Sequence, residues 1–490
     1  MFKKSIAAVI SITMVLTLFA ALTVSAETIE NNAAVSAYVS MTNENGGLEL
    51  VSPDKTPAIY VDDKDFEGVR RAAGDLKEDI NTITNKMPSI TNDISLKETQ
   101  AEEGISIDNG VMTVTIDSAP IKDAQCFVAS YDSAGALNAV KKSTNMIAAN
   151  SGGKVFTFDN ALQKPSGGKM KAFVWSDDME PLKGVLGMKT AGTIELNGID
   201  IVVGTLGMST AVDALAQSSR IDISGIEGQW ESFTIQNVDD TFVIAGSDKR
   251  GTIYGIYDLC EKIGVSPWSF WADVVPGHAD SLYINLPDGG YTEGEPSVQY
   301  RGIFLNDEFN MSEWSKSMGN TGKNMNNATY EKLFELLLRL KANYLWPAMH
   351  TYSTAFNVTE GNAALADQYG IVMGSSHAEP LLRNNLGELY DYQEAWKAKA
   401  ENKGKALNTK TADGKSTIKD DANRTVAYMW TDKDNDSNAV ANKEFLTDYW
   451  RERAKANGNY ENTYTLGMRG VHDGGFSTNM DKKNPPKKNF

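Results

Sequence analysis

Residues 300–380 constrain the fold more than any other stretch. They read YRGIFLNDEFN, then YEKLFELLLRLKANYLWPAMH, then LADQYGIVMGSSHAEP. Three short apolar runs, Ile303-Phe304-Leu305, Tyr344-Leu345 and Ile371-Val372-Met373, each end in polar or aromatic residues. Segments at helical spacing separate them. Leu333, Leu336, Leu337 and Leu340 lie on one face of a helix expected over 329–341, and a second helix is expected over 363–369 with Gly370 as its stop. Strands alternating with helices in this way make parallel β/α units, and the chemistry of such units gathers at the strand C-terminal ends. The expected fold class is therefore α/β, with an incomplete (β/α)8 TIM-type barrel over 298–490. A fourth strand is expected over 464–469, ending at Gly470-Val471-His472-Asp473. Eight strands are needed for closure, and about four are legible, so the reading is the truncated first half of a barrel.

The chain has 490 residues, too many for one core. Ahead of the barrel, 46–101 and 191–286 read as one mixed α/β domain. Its strands are 58–61, 201–204 and 241–246, with a hairpin around Asp239-Asp240. Its helices are 66–83 and one that runs from Arg250 through Cys260. The segment between, 102–190, has short β-like runs at 111–116, 126–131, 154–158 and 170–175 with Gly, Asn and Ser in the gaps, the pattern of a small inserted β-sandwich. Residues 27–45 read as a linker, as do 287–296, and 398–424 as a long exposed loop. The first 26 residues carry Lys3 and Lys4, an apolar run and Val24-Ser25-Ala26, the layout of a secretory signal peptide, so a secreted, extracellular protein is expected. An uncleaved anchor is the alternative. No later stretch is apolar enough to span a bilayer.

Net charge is −17, which argues against nucleic acid and anionic membranes as partners. Two cysteines, Cys126 and Cys260, make no disulfide framework and read as buried thiols. Four histidines without zinc-type spacing give no metal site, and no cofactor is expected. Gly246-Ser247-Asp248-Lys249-Arg250-Gly251 lacks the Gly-Lys-Ser/Thr ending of a phosphate loop.

Carboxylates at the strand ends are Asp307 and Glu308 after the first strand, Glu379 after the third and Asp473 after the fourth. Two carboxyl groups across a scissile bond are what glycoside hydrolysis needs. One donates a proton to the leaving oxygen, and in an inverting enzyme the other activates water across a gap of roughly 6.5–9.5 Å. Glu379, Asp307 and Asp473 are the catalytic candidates, with Glu379 as general acid. Which carboxylate is acid and which is base stays open.

Residues 300–307, 330–349, 365–374, 379–380 and 467–473 resemble glycoside hydrolase family 115, and 243–274 resembles the end of that family's N-terminal domain. The resemblance implies a xylan α-1,2-glucuronidase that releases glucuronic acid or its 4-O-methyl ether from glucuronoxylan with inversion. It also implies a barrel preceded by a smaller α/β domain. A uronic acid substrate calls for cations and donors. The substrate-binding candidates are accordingly Asn306, Glu308, Trp346, His377, Arg383, Arg469 and His472. Arg301 precedes its strand and points to the wrong end. The sequence departs from the family at His377-Ala378-Glu379, where paired histidines are usual, and after Met349, where an acidic cluster is usual. The alternative reading is a truncated, non-catalytic carbohydrate-binding or surface protein, and the sequence leaves homo-oligomerisation open.

Overall fold

The computed structural model describes residues 38–43, 46–97, 104–108, 111–131, 136–162, 169–183, 185–186, 193–305, 309–318, 324–350, 353–411, 415–430, 437–466, 471 and 477–478. The segment 1–26, expected to be a signal peptide, lies outside them.

The valine- and isoleucine-rich runs pair as expected. Strands β1 (Ala58–Val61), β2 (Ser89–Thr91), β3 (Ile201–Thr205), β4 (Phe233–Val238), β5 (Thr241–Gly246) and β6 (Tyr291–Glu293) form one sheet in the order β6-β4-β5-β3-β1-β2. The β5-β3-β1-β2 part is parallel and β4 is antiparallel to β5. Every residue of β3 and β5 is buried, as continuous apolar strands require when helices cover both faces. Helix α1 (Glu67–Thr84) lies against α3 (Lys249–Lys262) on one face, and α2 (Thr210–Gln217) covers the other through Ala211, Val212 and Leu215. The glycines of the 246–251 run serve close approach. A Cβ on Gly251 would sit 2.2 Å from the Ser232 carbonyl oxygen, and one on Gly246 2.2 Å from the Thr252 nitrogen. Asp248 caps α3 by accepting from the Gly251 N–H at 2.8 Å.

Two expected linkers are in part structured. Residues 287–296 contain β6, paired antiparallel to β4. Gly289 and Gly290, at φ +86° and +85°, turn the chain back onto the sheet edge. Within 27–45, Val39–Ser40 pairs with Leu282–Ile284, which also pairs with Leu48–Val51, and the buried Tyr38 hydroxyl donates to Asp258 at 3.0 Å. Small polar composition hid both segments, whose order comes from partners distant in sequence.

Between β2 and β3 the chain leaves and returns through a two-strand neck, Ser95–Lys97 paired with Thr193–Glu195. Beyond it lie two three-stranded antiparallel sheets. One places Val111–Thr115 between Gly104–Asp108 and Val155–Thr157; the other places Ala124–Tyr131 between Leu137–Lys142 and Lys169–Ser176. They enclose a separate core of Met112, Val114, Cys126, Val128, Phe156 and Val174. Burial pushes the Cys126 thiol up to about 12, so it is a packing group. Both cysteines are free and buried.

The β/α alternation after residue 300 is present. Strands β7 (Gly302–Phe304), β8 (Tyr344–Trp346) and β9 (Val372–Met373) are parallel, with α4 (Phe309–Ser315) and α5 (Asn327–Arg339) between the first two and α6 (Asn362–Tyr369) between the last two. The barrel expectation needs correcting. Among the described residues this sheet has three strands and does not close, because closure takes eight strands at a common tilt and shear. Of the expected fourth strand, 464–466 form no strand and 467–469 lie outside the described residues; β9 makes one parallel bridge nearby, Met373 with Asn462. Farther on, α7 (Glu388–Ala398) packs with α8 (Ser437–Ala456) around Trp396, Phe445 and Tyr449. Residues 403–425 carry only isolated bridges, as expected of a loop.

The sheet domain and the β/α units share one core, in which Ile253, Tyr254 and Tyr257 of α3 lie with Leu333, Phe334 and Leu337 of α5. Charges seal its rim. Arg339 of α5 binds Asp79 of α1 through two bonds of 2.7 and 3.2 Å. Deeper still, Glu231 accepts from Arg250 Nε at 2.5 Å, Arg301 Nη2 at 2.6 Å and Asn343 Nδ2 at 2.7 Å. Arg301 thus turns to the N-terminal domain, away from the strand C-terminal ends. Removing one member of a buried ion pair costs about 3–5 kcal/mol. Glu231→Gln should lower stability by that order, read as a fall in the urea midpoint.

Glu335 lies between Lys332 and Arg339, 2.9 Å from each. Burial pushes its carboxyl up, but Arg339 and Lys332 more than offset this and hold it below the ordinary 4.5. A folded-state pKa below the unfolded value gives stability that is full above the unfolded value and lost as pH falls through the folded one. The cost of Glu335→Gln, measured by urea unfolding, should therefore be largest near neutrality and shrink below pH 4.5.

Candidate functional site

The loops after β8 and β9 meet at the C-terminal end of the small sheet. Gly374 ends β9 because nothing larger fits: its Cβ would lie 2.0 Å from the Tyr344 hydroxyl and 2.6 Å from Trp346 Nε1. Those side chains occupy the sheet face opposite the core. Trp346 Nε1 donates to the Tyr344 hydroxyl at 2.9 Å, and that hydroxyl is 2.5 Å from Thr463 Oγ1. The Trp346 ring meets Phe304 edge-on at 5.4 Å. The indole expected to form a sugar platform is thus half-buried, with its N–H bonded inside the sheet face.

Glu379 is 3% exposed. Its Oε1 accepts from Asn384 Nδ2 at 3.0 Å, and the same nitrogen donates to the Met349 carbonyl at 2.8 Å. Asn384 Oδ1 accepts the N–H groups of Leu386 and Gly387. One buried amide therefore ties the Glu379 carboxyl to the loop after β8. The backbone beyond it is strained: Leu381 and Leu382 follow Pro380 with φ of +51° and +61°, the left-handed region that branched side chains avoid. Bonds from outside hold it there. The Leu381 N–H donates to the Thr465 carbonyl at 3.0 Å, and Thr465 Oγ1 donates to the Ser375 carbonyl at 2.6 Å. Non-glycine strain of this kind is characteristic of sites where a side chain must be aimed.

Arg383 is buried and internally engaged. Its Nε donates to the Tyr449 carbonyl at 2.8 Å, and its guanidinium pairs with Glu388 and lies 4.7 and 4.6 Å above the rings of Tyr392 and Tyr449. Arg453 binds the same Glu388 at 2.8 Å. With Arg424, Asn357 and His350 these groups line a cleft of about 660 Å³. His350 Nδ1 lies 3.9 Å from Asp421, and His377 is half-buried in the loop before Glu379. Among the described residues no cluster of three His, Cys, Asp or Glu could hold a metal ion, and no helix is long and apolar enough to cross a membrane.

Of the expected site residues, Trp346, His377, Glu379 and Arg383 are described, and all four lie in or after the ends of β8 and β9. Asn306, Asp307, Glu308, Arg469, His472 and Asp473 lie outside the described residues. Val471, two residues before Asp473, packs on the cluster of Met349, Ala378 and Leu386. Sequence reasoning missed Asn384, Arg453 and Arg424, none of which stands in a recognisable pattern.

The model of glycosyl hydrolase family 115 matches residues 293–486. A solved family GH115 4-O-methyl-α-glucuronidase, BtGH115A, described as specific for decorated arabinogalactans, matches with a TM-score of 0.51 and 26% identity. The match covers 88% of this chain and 37% of that one, so this chain spans well under half the relative's length. A chitobiase from Flavobacterium johnsoniae (TM-score 0.22, 12% identity, 43% of this chain and 28% of that one) also matches. So does an exo-β-N-acetylglucosaminidase from Vibrio harveyi (0.20, 10%, 56% and 57%). No curated protein matches. The resemblance read from 300–307, 330–349, 365–374 and 467–473 coincides with the family match, and the 88% coverage extends the likeness into the N-terminal domain.

Asn384→Ala removes one donor from the Glu379 carboxyl and one from the Met349 carbonyl. It also removes the acceptor of the Leu386 and Gly387 N–H groups, and hydrogen bonds of this kind contribute about 1 kcal/mol each. Chemical denaturation should show a loss of roughly 2–4 kcal/mol, against little change for Asn459→Ala at an exposed position.

Proposed function

We propose that this chain is a glycoside hydrolase of the α-glucuronidase type, which releases glucuronic acid or its 4-O-methyl ether from glucuronoxylan. The observation that supports it is the placing of Glu379. A carboxyl that is 3% exposed stands where the loops after two neighbouring parallel strands join, the position at which β/α enzymes carry their chemistry. An inverting glycosidase needs one carboxyl that gives its proton to the leaving oxygen. In the proposed mechanism Glu379 is the general acid. Asp473 or Asp307 is the base that draws a proton from the attacking water, giving inversion at the anomeric carbon. Asp473 is the favoured partner, because Val471 packs on the residues flanking Glu379. Asp307 follows Leu305, whose N–H continues the β7–β8 pairing to the Trp346 carbonyl at 2.9 Å.

Asn306, Glu308, Trp346, His377, Arg469 and His472 are proposed to bind the substrate. Arg383 acts there as a positioning group, since Glu388 and two tyrosine rings already hold its charge. The released sugar is the element shared with BtGH115A, described as specific for decorated arabinogalactans, so both backbones belong in the assay. Export by the segment 1–26 is part of the proposal and suits a polymeric substrate outside the cell.

Glu379→Gln keeps the shape and the bond from Asn384 and removes the proton donor. Loss of a general acid typically costs 10²–10⁴-fold in rate. Uronic acid release from glucuronoxylan should fall by at least about a hundredfold with oligosaccharide binding retained. Release at the unsubstituted rate would remove Glu379 from the mechanism, and binding without release by the unsubstituted chain would favour a carbohydrate-binding role alone.

A further inference from the structure

The inserted sandwich has a face that its own core does not use. In the sheet built on Ala124–Tyr131, Cys126, Val128, Ala172 and Val174 point inward and are fully buried. The alternate positions point out. An outward face of an antiparallel sheet normally alternates to polar residues. Here Phe127 stands directly across from Phe173, and Trp175 follows two residues on, with ring centroids 5.7 Å from Phe127 and 6.1 Å from Phe173. Tyr131 continues the row along the central strand. Val140, paired with Ala129, is 54% exposed, and Val185, on the segment that bridges to Ala172, is 57% exposed. An aromatic and aliphatic patch of this extent on the outside of a domain marks a surface for a partner.

Charge narrows the partner. Lys142 lies across from Phe127, Lys169 across from Tyr131 and Lys171 across from Ala129, so all three share the aromatic face. All three are exposed, and none forms an ion pair among the described residues. Lys171 Nζ lies 5.4 Å above the Tyr131 ring. Asp177, Asp178 and Glu180 sit in the turn after the Lys169–Ser176 strand, and Lys122 pairs with two of them. Three uncompensated cations beside flat rings stand out on a chain of net charge −17. A two-fold contact with a second copy would set these lysines against one another. Pyranose rings have apolar faces that stack on aromatic side chains, and uronate carboxylates pair with lysines.

We propose that this face binds a polysaccharide chain that carries uronic acid groups, as an attachment site separate from the loops around Glu379. The choice of a uronate-bearing polymer rests on the glucuronidase reading; the rings and lysines do not.

The experiment is affinity electrophoresis of the full chain in gels containing glucuronoxylan or uronate-free arabinoxylan. The unsubstituted chain should be retarded more by glucuronoxylan. Phe127→Ala with Trp175→Ala should weaken retardation about tenfold or more without changing hydrolysis of a short soluble uronic-acid oligosaccharide. Lys142→Gln with Lys169→Gln and Lys171→Gln should remove the preference for the uronate-bearing polymer. Trp175→Gln alone serves if near-ultraviolet circular dichroism shows that the double variant does not fold. Unchanged retardation of the aromatic variants overturns the proposal. So does a dimer in sedimentation that the same substitutions dissolve without affecting polysaccharide binding. Retardation without uronic acid release would sink the hydrolase reading and leave this one standing; release without face-dependent retardation would do the reverse.

Discussion

Glu231 is the residue on which the rest of the arrangement depends. It sits at the start of β4 with φ of +52°, and its side chain is almost fully buried. One carboxylate holds Arg250 from the first turn of α3 and Arg301 and Asn343 from the segments leading into β7 and β8. Its own N–H is taken by Asp248, the residue that caps α3. The N-terminal ends of two β/α strands are therefore referenced to the six-stranded sheet through a single group. Burial works against the charge of Arg250, and Glu461 and Glu231 more than offset it, so the guanidinium stays charged. Arginine suits this place because its fork reaches two carboxylates at once.

That anchoring sits at the opposite ends of the strands from Glu379, so rigidity and chemistry are separated along the strand axis. The strained turn at Leu381-Leu382 is tolerable for the same reason. With β7 and β8 fixed below, and Thr465 holding the turn from the side, the left-handed backbone has nowhere to relax.

Much of this fold was legible in the sequence where burial is two-sided. The runs 58–61, 201–204 and 241–246 have no polar alternation to confuse, and α1 and α5 show a single apolar face. Edge strands were not legible. Leu137–Lys142 reads LNAVKK, and Gly104–Asp108 reads GISID; each is ordered by a neighbour that supplies half the pattern. β6 was hidden by its glycines, and α7 lacks a capping side chain. At the far end, 464–466 has strand composition, while the described pairing falls at Asn462. At the site, the position of Glu379 after an apolar run was readable, but its burial was not. Nothing local to His377-Ala378-Glu379 announces that Asn384 and Met349 enclose it. Arg383 read as a substrate-binding candidate and is in fact clamped between tyrosines, because aromatic partners from α7 and α8 are invisible to spacing.

The neck at Ser95–Lys97 and Thr193–Glu195 bears on how this chain could have been assembled. Entry and exit strands run side by side and in opposite directions, so the gap they leave in the host is no wider than a hairpin turn. β1 pairs with both β2 and β3, and none of the three pairs with the sandwich. The host sheet is thus indifferent to what hangs beyond the neck, and the surface module can be gained, exchanged or shed by recombination without a compensating change in the host sheet.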